Sequence, residues 1–389
     1  MSVTAPAGFT AAGGSAGIKS GGVPDVAVVV TEDGRAVPAA GVFTSNLAAA
    51  APVQVSRAHL AESGGHAAGV ILTSGNANAA TGAPGRDSAA RLCGAVAAGI
   101  GAAPRHVLVC QTGLIGIPFP LAAVEPHVEG IVRARRGDVE SAAAAARAIM
   151  TTDTVPKTAV VRGSGFTVGA MAKGAAMLAP NMATMLALCT TDADVEPGTL
   201  RSALRSAVNV SFNAMTVDGC TSTNDTVLVL ANGRAAAPTP AALTAALTEA
   251  CQSLAEQMVD DAEGATKVSH VRVTGAESDA AAHVAARKVA DSMLVQCSLN
   301  GEDPYWGRIV SELGSAGVSF DMDAVSIAYG GVVVCAGGVG VAHDAGAVRS
   351  HLAGRHIELT CDLGLGSGSA AVLGTDLGYG YIDENRTTS

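Results

Sequence analysis

The chain has 389 residues, a formal net charge of -10, 49% hydrophobic residues and only 3% aromatic ones. It is long enough for one large domain or two ordinary ones, and its core has to be built from Ala, Val, Leu and Ile. The acidic balance argues against nucleic acid or an anionic membrane as a partner. Eight cysteines, at 93, 110, 189, 220, 251, 297, 335 and 361, are scattered without a CxxC pair, and the start MSVTAPAGF lacks a basic stretch followed by an apolar run. Reduced thiols in the cytoplasm are expected.

Near the start, Gly13-Gly14-Ser15-Ala16-Gly17 matches the GxSxG pattern of serine hydrolases. It sits in a small-residue stretch rather than between a strand and a helix, so it reads as a glycine-rich turn. Strand-like runs follow at Asp25 to Val30, Val70 to Thr73 and Val107 to Cys110, and the spacing predicts a helix from Asp87 through Leu92, Val96 and Ile100. Directly after the third strand stands Gln111-Thr112-Gly113. A glycine lets backbone approach closely, and acyl transfer needs donors aimed at the oxygen that becomes negative. An ordinary strand-end turn is the plainer reading of the same residues.

The segment Lys173 to Asp192, KGAAMLAPNMATMLALCTTD, places Thr184 just after Ala183 in an apolar stretch broken by Pro180 and Asn181. At roughly 20 residues required, that stretch is too short to span a bilayer. A threonine hydroxyl can attack the carbonyl before it, and hydrolysis of the resulting ester leaves hydroxyl and α-amino group on one residue. Such an amine has a reference pKa of roughly 7.7 to 8.0, so it accepts a proton near neutral pH. From spacing alone, a core threonine is the competing reading. Lys173, eleven residues earlier, is either a solvated lysine or a cation that holds a substrate carboxylate and disfavours protonation of the new amine.

Farther on, Thr239 and Pro240 open the clearest helix, with Leu243, Leu247, Leu254 and Met258 on one face. AAAPTP at 235 to 240 is the best candidate boundary, though the chain is not cut there. Val271 and Val273, then Ile357, Leu359, Cys361 and Leu363, show the period of two of strands with one buried face, where antiparallel pairing is expected. Gly364-Leu365-Gly366-Ser367-Gly368 lacks the spacing of either phosphate-binding loop and reads as glycines allowing close packing. The nine histidines form no HExxH, His343-Asp344 reads as a surface turn, and no metal site is expected. Helices mix with strands throughout.

KGAAMLAPNMATML together with CQTGLIGIP resembles the glutamate N-acetyltransferase (ornithine acetyltransferase) family of arginine biosynthesis. PAGFTAAGGSAGIK, VFTSNLAAAAPV, LTSGNANAATG, IMTTDTVPK, FNAMTVDGCTSTNDTVLVLANG, DAEGATK and DPYWGR agree in the same order along nearly the whole chain. The resemblance implies an α+β fold, a layered α/β/β/α sandwich, made as one piece and divided by its own chemistry between Ala183 and Thr184. The products would be residues 1–183 and 184–389, interwoven in one structure. It implies Thr184 as nucleophile and Thr112 and Gly113 as the oxyanion hole. Substrate contacts would be Thr151, favoured over Thr152, with Lys173, Thr184, Glu263, Asn385 and Ser389; a glutamate suits an amine of ornithine.

The end ENRTTS keeps Asn385 but is shorter than the family's tail and lacks its aromatic residue, which weakens the assignment of Ser389, and DPYWGR has Tyr305 where many relatives have asparagine. The implied reaction is a ping-pong transfer of acetyl from N-acetylornithine to glutamate, without metal or dissociable cofactor, with acetyl-coenzyme A as a second donor in some relatives. Two copies of each cleaved product would form a heterotetramer. The rivals are an amino-terminal-nucleophile aminopeptidase on the same fold and a binding protein that keeps the sandwich and never cleaves.

Overall fold

A computed structural model describes residues 2–177 and 185–386. Two sheets lie face to face. The first has four strands in the order Phe9–Gly14, Val26–Thr31, Gly69–Asn76, Val107–Leu114. The second has six, in the order His66–Ala67, Val37–Phe43, Thr226–Ala231, Leu186–Thr191, Phe166–Lys173, Lys157–Gly163. Successive side chains of a strand point to opposite faces, and the alternation is visible residue by residue. Val29, Leu72, Leu108, Met171, Leu188 and Leu230 fill the space between the sheets. Val28, Ile71 and Val109 meet the outer helices Gly82–Ile100 and Leu121–Ala134. Cys189, Val227 and Val229 meet the helices Pro197–Asn209 and Pro240–Asp260 on the opposite outside. The four layers are helix, sheet, sheet, helix, the α/β/β/α order that the resemblance implies.

The core is short-chained, and close approach of backbone replaces bulk. A Cβ on Gly13 would stand 2.2 Å from Ala144 O, so only glycine lets the alanine-rich helix Val139–Ala148 lie against the first strand. The predicted capping at Thr239 is present: its side chain accepts from Ala242 N–H, and the helix runs to Asp260. The helix expected from Asp87 begins earlier, at Gly82, with Pro84 in its first turn.

The chain after the helix Pro240–Asp260 builds something periodicity did not disclose, a third sheet with its own core. Its order is Val339–Gly340, Val332–Ala336, Ser326–Tyr329, His356–Asp362, Val268–Ala276, Gly368–Thr375, and it packs on helices that include Asp279–Ala290 and Gly307–Gly314. The compositional boundary at 235–240 lies inside the sandwich, because the helix that follows it is part of the outer layer; the change of core falls between Val268 and Val271. The expected antiparallel pairing needs correcting for one pair. Val268–Ala276 and His356–Asp362 run parallel to each other, and each pairs antiparallel with its other neighbour, Gly368–Thr375 and Ser326–Tyr329 respectively. A period of two records a half-buried face and is silent on direction.

Gly13 and Gly14 end a strand with no α-helix after them, as the turn reading of the GxSxG match required. Gly364 to Gly368 joins two strands, and a Cβ on Gly368 would lie 2.2 Å from Ser278 C, which is close packing. Among the described residues no helix is long and apolar enough to cross a membrane.

Candidate active site

Thr112 and Gly113 stand at the end of Val107–Leu114, in parallel register with Ser74 and Gly75. Gly113 has φ +127°, and a Cβ there would come within 2.3 Å of Gly75 C. The two backbones therefore touch where the strands end, and only glycine permits it. Gln111, fully buried, holds the register: its Nε2 donates to Thr73 Oγ1 at 3.2 Å and its Oε1 accepts from Asn78 Nδ2 at 2.8 Å.

The strand end is tied to the far side of the Ala183–Thr184 bond by two consecutive residues. Asn224 Nδ2 donates to Gln111 O at 2.8 Å and to Ala77 O at 2.6 Å. Asp225 Oδ1 accepts from Met185 N–H at 3.0 Å. Asp225 is fully buried, and among the described residues its Oδ2 has no hydrogen-bond partner. Burial pushes its carboxyl well above the ordinary carboxylate range; the Met185 N–H and the charge of Lys173 oppose this without cancelling it. Ala183 and Thr184 themselves lie outside the described residues, as does Ser389.

A second group gathers around Lys173, at the end of Phe166–Lys173. It is buried, not solvated. Its Nζ lies 3.9 Å from Asp153 Oδ2. Asp153 Oδ1 accepts from Lys157 Nζ at 2.6 Å and from Gly174 N–H at 2.7 Å, and Oδ2 accepts from Thr151 N–H at 3.0 Å. Lys157 also pairs with Asp261, which caps the turn at Thr154 N–H. Burial works against the Asp153 charge, but Lys173 and Lys157 more than offset it and hold the carboxyl down to about 2. Burial in turn lowers the Lys173 ammonium, with Asp153, Glu263 and Asp225 pulling the other way and Lys157 adding to the lowering. Lys173 thus acts electrostatically on both groups.

Glu263 reaches the same place from the turn after Asp260. Its N–H donates to Ala175 O at 2.9 Å, and its Oε2 accepts from Asn385 Nδ2 at 2.8 Å. The structure therefore brings Thr151, Lys173, Glu263 and Asn385 together. The last of these follows the helix Tyr379–Glu384, which docks on Gly264, where a Cβ would meet Tyr381 N at 2.1 Å. Tyr381 Oη donates to Asp218 Oδ2 at 3.2 Å, and Met177 N–H donates to the same oxygen at 2.5 Å. Met177 has φ +54°, the left-handed region that a methionine seldom adopts.

A sequence model of the ArgJ family matches residues 10–387. The chain belongs to the ArgJ family. It is 46% identical over 392 residues to the arginine biosynthesis bifunctional protein ArgJ of Thermobifida fusca, covering 100% of both chains. It is 46% identical over 394 residues to the protein of the same name from Mycolicibacterium paratuberculosis, covering 100% of this chain and 96% of that one. Among solved structures, ornithine acetyltransferase of Mycobacterium tuberculosis complexed with ornithine matches 46% of this chain and 94% of its own, at 40% identity and a TM-score of 0.42.

The sequence alone did not disclose five residues that the candidate site is built on: Lys19, Asp153, Asp218, Asn224 and Asp225. Lys19 Nζ donates to Met150 O at 2.6 Å and Pro24 O at 3.1 Å, and burial lowers its ammonium, with the Lys173 charge contributing. Each lies inside a quoted segment, so the signal was present. What separated a structural acid from a site acid was which strand ends meet, and that is a property of topology.

Proposed function

We propose that this chain transfers an acetyl group from N2-acetyl-L-ornithine to L-glutamate through an acetyl ester on Thr184, releasing L-ornithine and N-acetyl-L-glutamate. It is an acyltransferase of arginine biosynthesis. The observation that carries the reading is 46% identity over the full length of a relative named for that biosynthesis and for two activities.

The chain first splits between Ala183 and Thr184, giving residues 1–183 and 184–389. The strands flanking the junction, Phe166–Lys173 and Leu186–Thr191, are antiparallel neighbours in one sheet, which supports both products remaining in one structure. The free Thr184 amine takes the hydroxyl proton while the oxygen attacks the acetyl carbonyl. Thr112 and Gly113 donate to the oxygen that becomes negative, an interaction worth about 3 kcal/mol per donor. Glu263, held by Asn385, faces an amine of ornithine, Lys173 faces a carboxylate, and Thr151 and Ser389 complete the contacts. Glutamate then enters the same site and accepts the acetyl group. Acetyl-coenzyme A serves as a second donor, which suits a bifunctional family; the transfer itself calls for neither metal nor dissociable cofactor. The working form is a heterotetramer of two copies of each product in the cytoplasm.

The test uses N-acetylornithine carrying a labelled acetyl group. With purified protein and glutamate, label is expected in N-acetylglutamate, with ornithine formed in equal amount and two chains in the denatured mass spectrum. Thr184→Ala stays whole and transfers nothing. Release of free acetate without label in glutamate would instead mark a hydrolase.

A further inference from the structure

We propose that a cleft at the junction of the sandwich and the third-sheet core, with Asn213 on one wall and Arg287 on the other, binds a small monocarboxylate that also carries hydroxyl groups, a hydroxy acid or a sugar acid.

The cleft is a cavity of about 630 Å³ whose lining includes Asn209, Asn213, His283, Arg287, Lys288 and Asp291. None of these belongs to the group around Lys173. Its two walls come from different cores. Asn209 ends the helix Pro197–Asn209 and Asn213 stands in the short turn Phe212–Ala214, both seated on the sandwich through Leu204, Val208 and Phe212. The opposite wall is the helix Asp279–Ala290 with Asp291 directly after it, and Ala282, Ala286 and Val289 hold that helix on the third-sheet core. The walls are fixed to each other next to the cleft. Thr216 N–H donates to Leu373 O at 2.7 Å, and Thr216 Oγ1 donates to Asp291 Oδ1. A preformed cavity of this size between two packed units is a usual place for a small ligand.

Each wall carries one buried polar atom that no other described residue satisfies. Arg287 Nε donates to Asp291 Oδ2 at 3.2 Å, while its Nη1 is buried without a partner. Asn213 Nδ2 donates to Asn209 Oδ1 at 3.1 Å, while its Oδ1 is buried without a partner. A buried polar group left unmatched costs free energy. Two of them, a donor and an acceptor on side chains that line one cavity, define the ligand by its complement.

Nη1 calls for an anion. A guanidinium stays charged; burial disfavours that charge here, and Asp291 opposes the effect. Arg287 and Lys288 face one lining carboxylate, Asp291, and His283, lowered by burial and by the Arg287 charge, adds none at neutral pH. The excess is a single positive charge, which a monocarboxylate neutralises and a phosphate dianion overshoots. Asn213 Oδ1 calls for a donor. A hydroxyl suits it better than an ammonium, because the carboxylates at the cleft already hold protein donors. Asp291 takes Thr216 and Arg287, and Glu312 takes Ser292 Oγ at 3.1 Å and Lys288 Nζ at 3.2 Å.

The experiment is isothermal titration calorimetry of the purified protein at constant ionic strength with D-gluconate, which has the carboxylate and the hydroxyls, hexanoate, which has the carboxylate alone, and sorbitol, which has the hydroxyls alone. A hydrogen bond to a charged group is worth about tenfold or more in affinity and a neutral one about threefold. D-gluconate is therefore expected to bind about threefold tighter than hexanoate and at least about tenfold tighter than sorbitol. Asn213→Ala lowers D-gluconate to the affinity of hexanoate and leaves hexanoate unchanged, and Arg287→Met weakens both acids at least about tenfold. Asn213→Ala leaves the Arg287–Asp291 pair in place, so it decides the matter even where Arg287→Met fails to fold. No saturable binding of D-gluconate, or binding that neither variant weakens, overturns the inference. Tighter binding of 6-aminohexanoate than of D-gluconate overturns the choice of a hydroxyl donor. None of these outcomes depends on acetyl transfer, so the reading of Thr184 stands or falls separately.

Discussion

Asn224 Nδ2 donates to Gln111 O at 2.8 Å, and through this bond the loop that precedes the strand Thr226–Ala231 fixes the strand end bearing Thr112 and Gly113. The same amide donates to Ala77 O at 2.6 Å. Asn224→Ala leaves two carbonyls without this donor in a buried place, at about 1–3 kcal/mol each. Urea unfolding is expected to show a loss of about 2–4 kcal/mol, and initial rates a drop in kcat of at least tenfold. A variant that unfolds earlier but keeps full kcat would restrict Asn224 to a structural role.

Gly113 permits no side chain. Its φ of +127° and the 2.3 Å approach of a built Cβ to Gly75 C mean that Gly113→Ala must push the two strand ends apart. The oxyanion donors proposed at the strand end then move by more than a hydrogen bond tolerates, and losing one such donor costs about 100-fold in kcat. Gly113→Ala is expected to transfer acetyl at least about 100-fold more slowly and to melt earlier, whereas Gly116→Ala, at a positive-φ glycine with open space around it, loses stability without that loss of rate. Thermal melts beside labelled-acetyl assays check both.

The layers were legible because burial leaves a trace: the unbroken apolar run Val26 to Val30 marks a strand buried on both faces, the repeat Leu243 to Met258 marks one face of a helix, and Thr239 with Pro240 marks a helix start chemically. Strand direction left none, which is why Val271 and Ile357 were expected in the wrong mutual sense. Thr112, Lys173 and Glu263 were legible only through the segments that contain them. Asp225 stands within such a segment and gave no sign of its burial, because a carboxylate in a loop reads as solvated until the fold shows it buried beside Met185. Asp153 escaped for a related reason: its partners Lys157 and Lys173 lie on adjacent strands, and nothing in IMTTDTVPK announces that both ammonium groups turn back to it.

Asn385 is the link between the carboxy-terminal helix and Glu263, bonded at 2.8 Å on a solvent-facing side. A hydrogen bond there contributes about 1–2 kcal/mol, and under the proposed function the bond acts through substrate rather than through folding. Asn385→Ala is expected to raise KM for N-acetylornithine about five- to thirtyfold, to leave splitting at wild-type rate, and to leave the unfolding midpoint unchanged. A change in kcat with KM constant would mean that Asn385 acts on the reacting centre instead.

Asp153 supplies a pH signature of the Lys173 group. Its folded pKa of about 2 lies below the ordinary 3.8, so the folded state binds fewer protons than the unfolded one in that interval. The pair's stabilisation is therefore complete above the unfolded value and is lost as pH falls through the folded one, a contribution of about 2 kcal/mol that disappears between pH 4 and pH 2. Asp153→Asn removes this dependence and leaves Lys173 buried without its 3.9 Å partner, while Lys157 retains Asp261. Removing one member of a buried pair costs about 3–5 kcal/mol, and the lower end is expected because Lys157 keeps a second carboxylate. Denaturant unfolding from pH 7 to pH 2 checks both effects: the wild type loses stability faster than the variant below pH 4, and the two curves converge toward pH 2. Parallel curves would show that Asp153 is protonated at an ordinary pKa and does not hold Lys173.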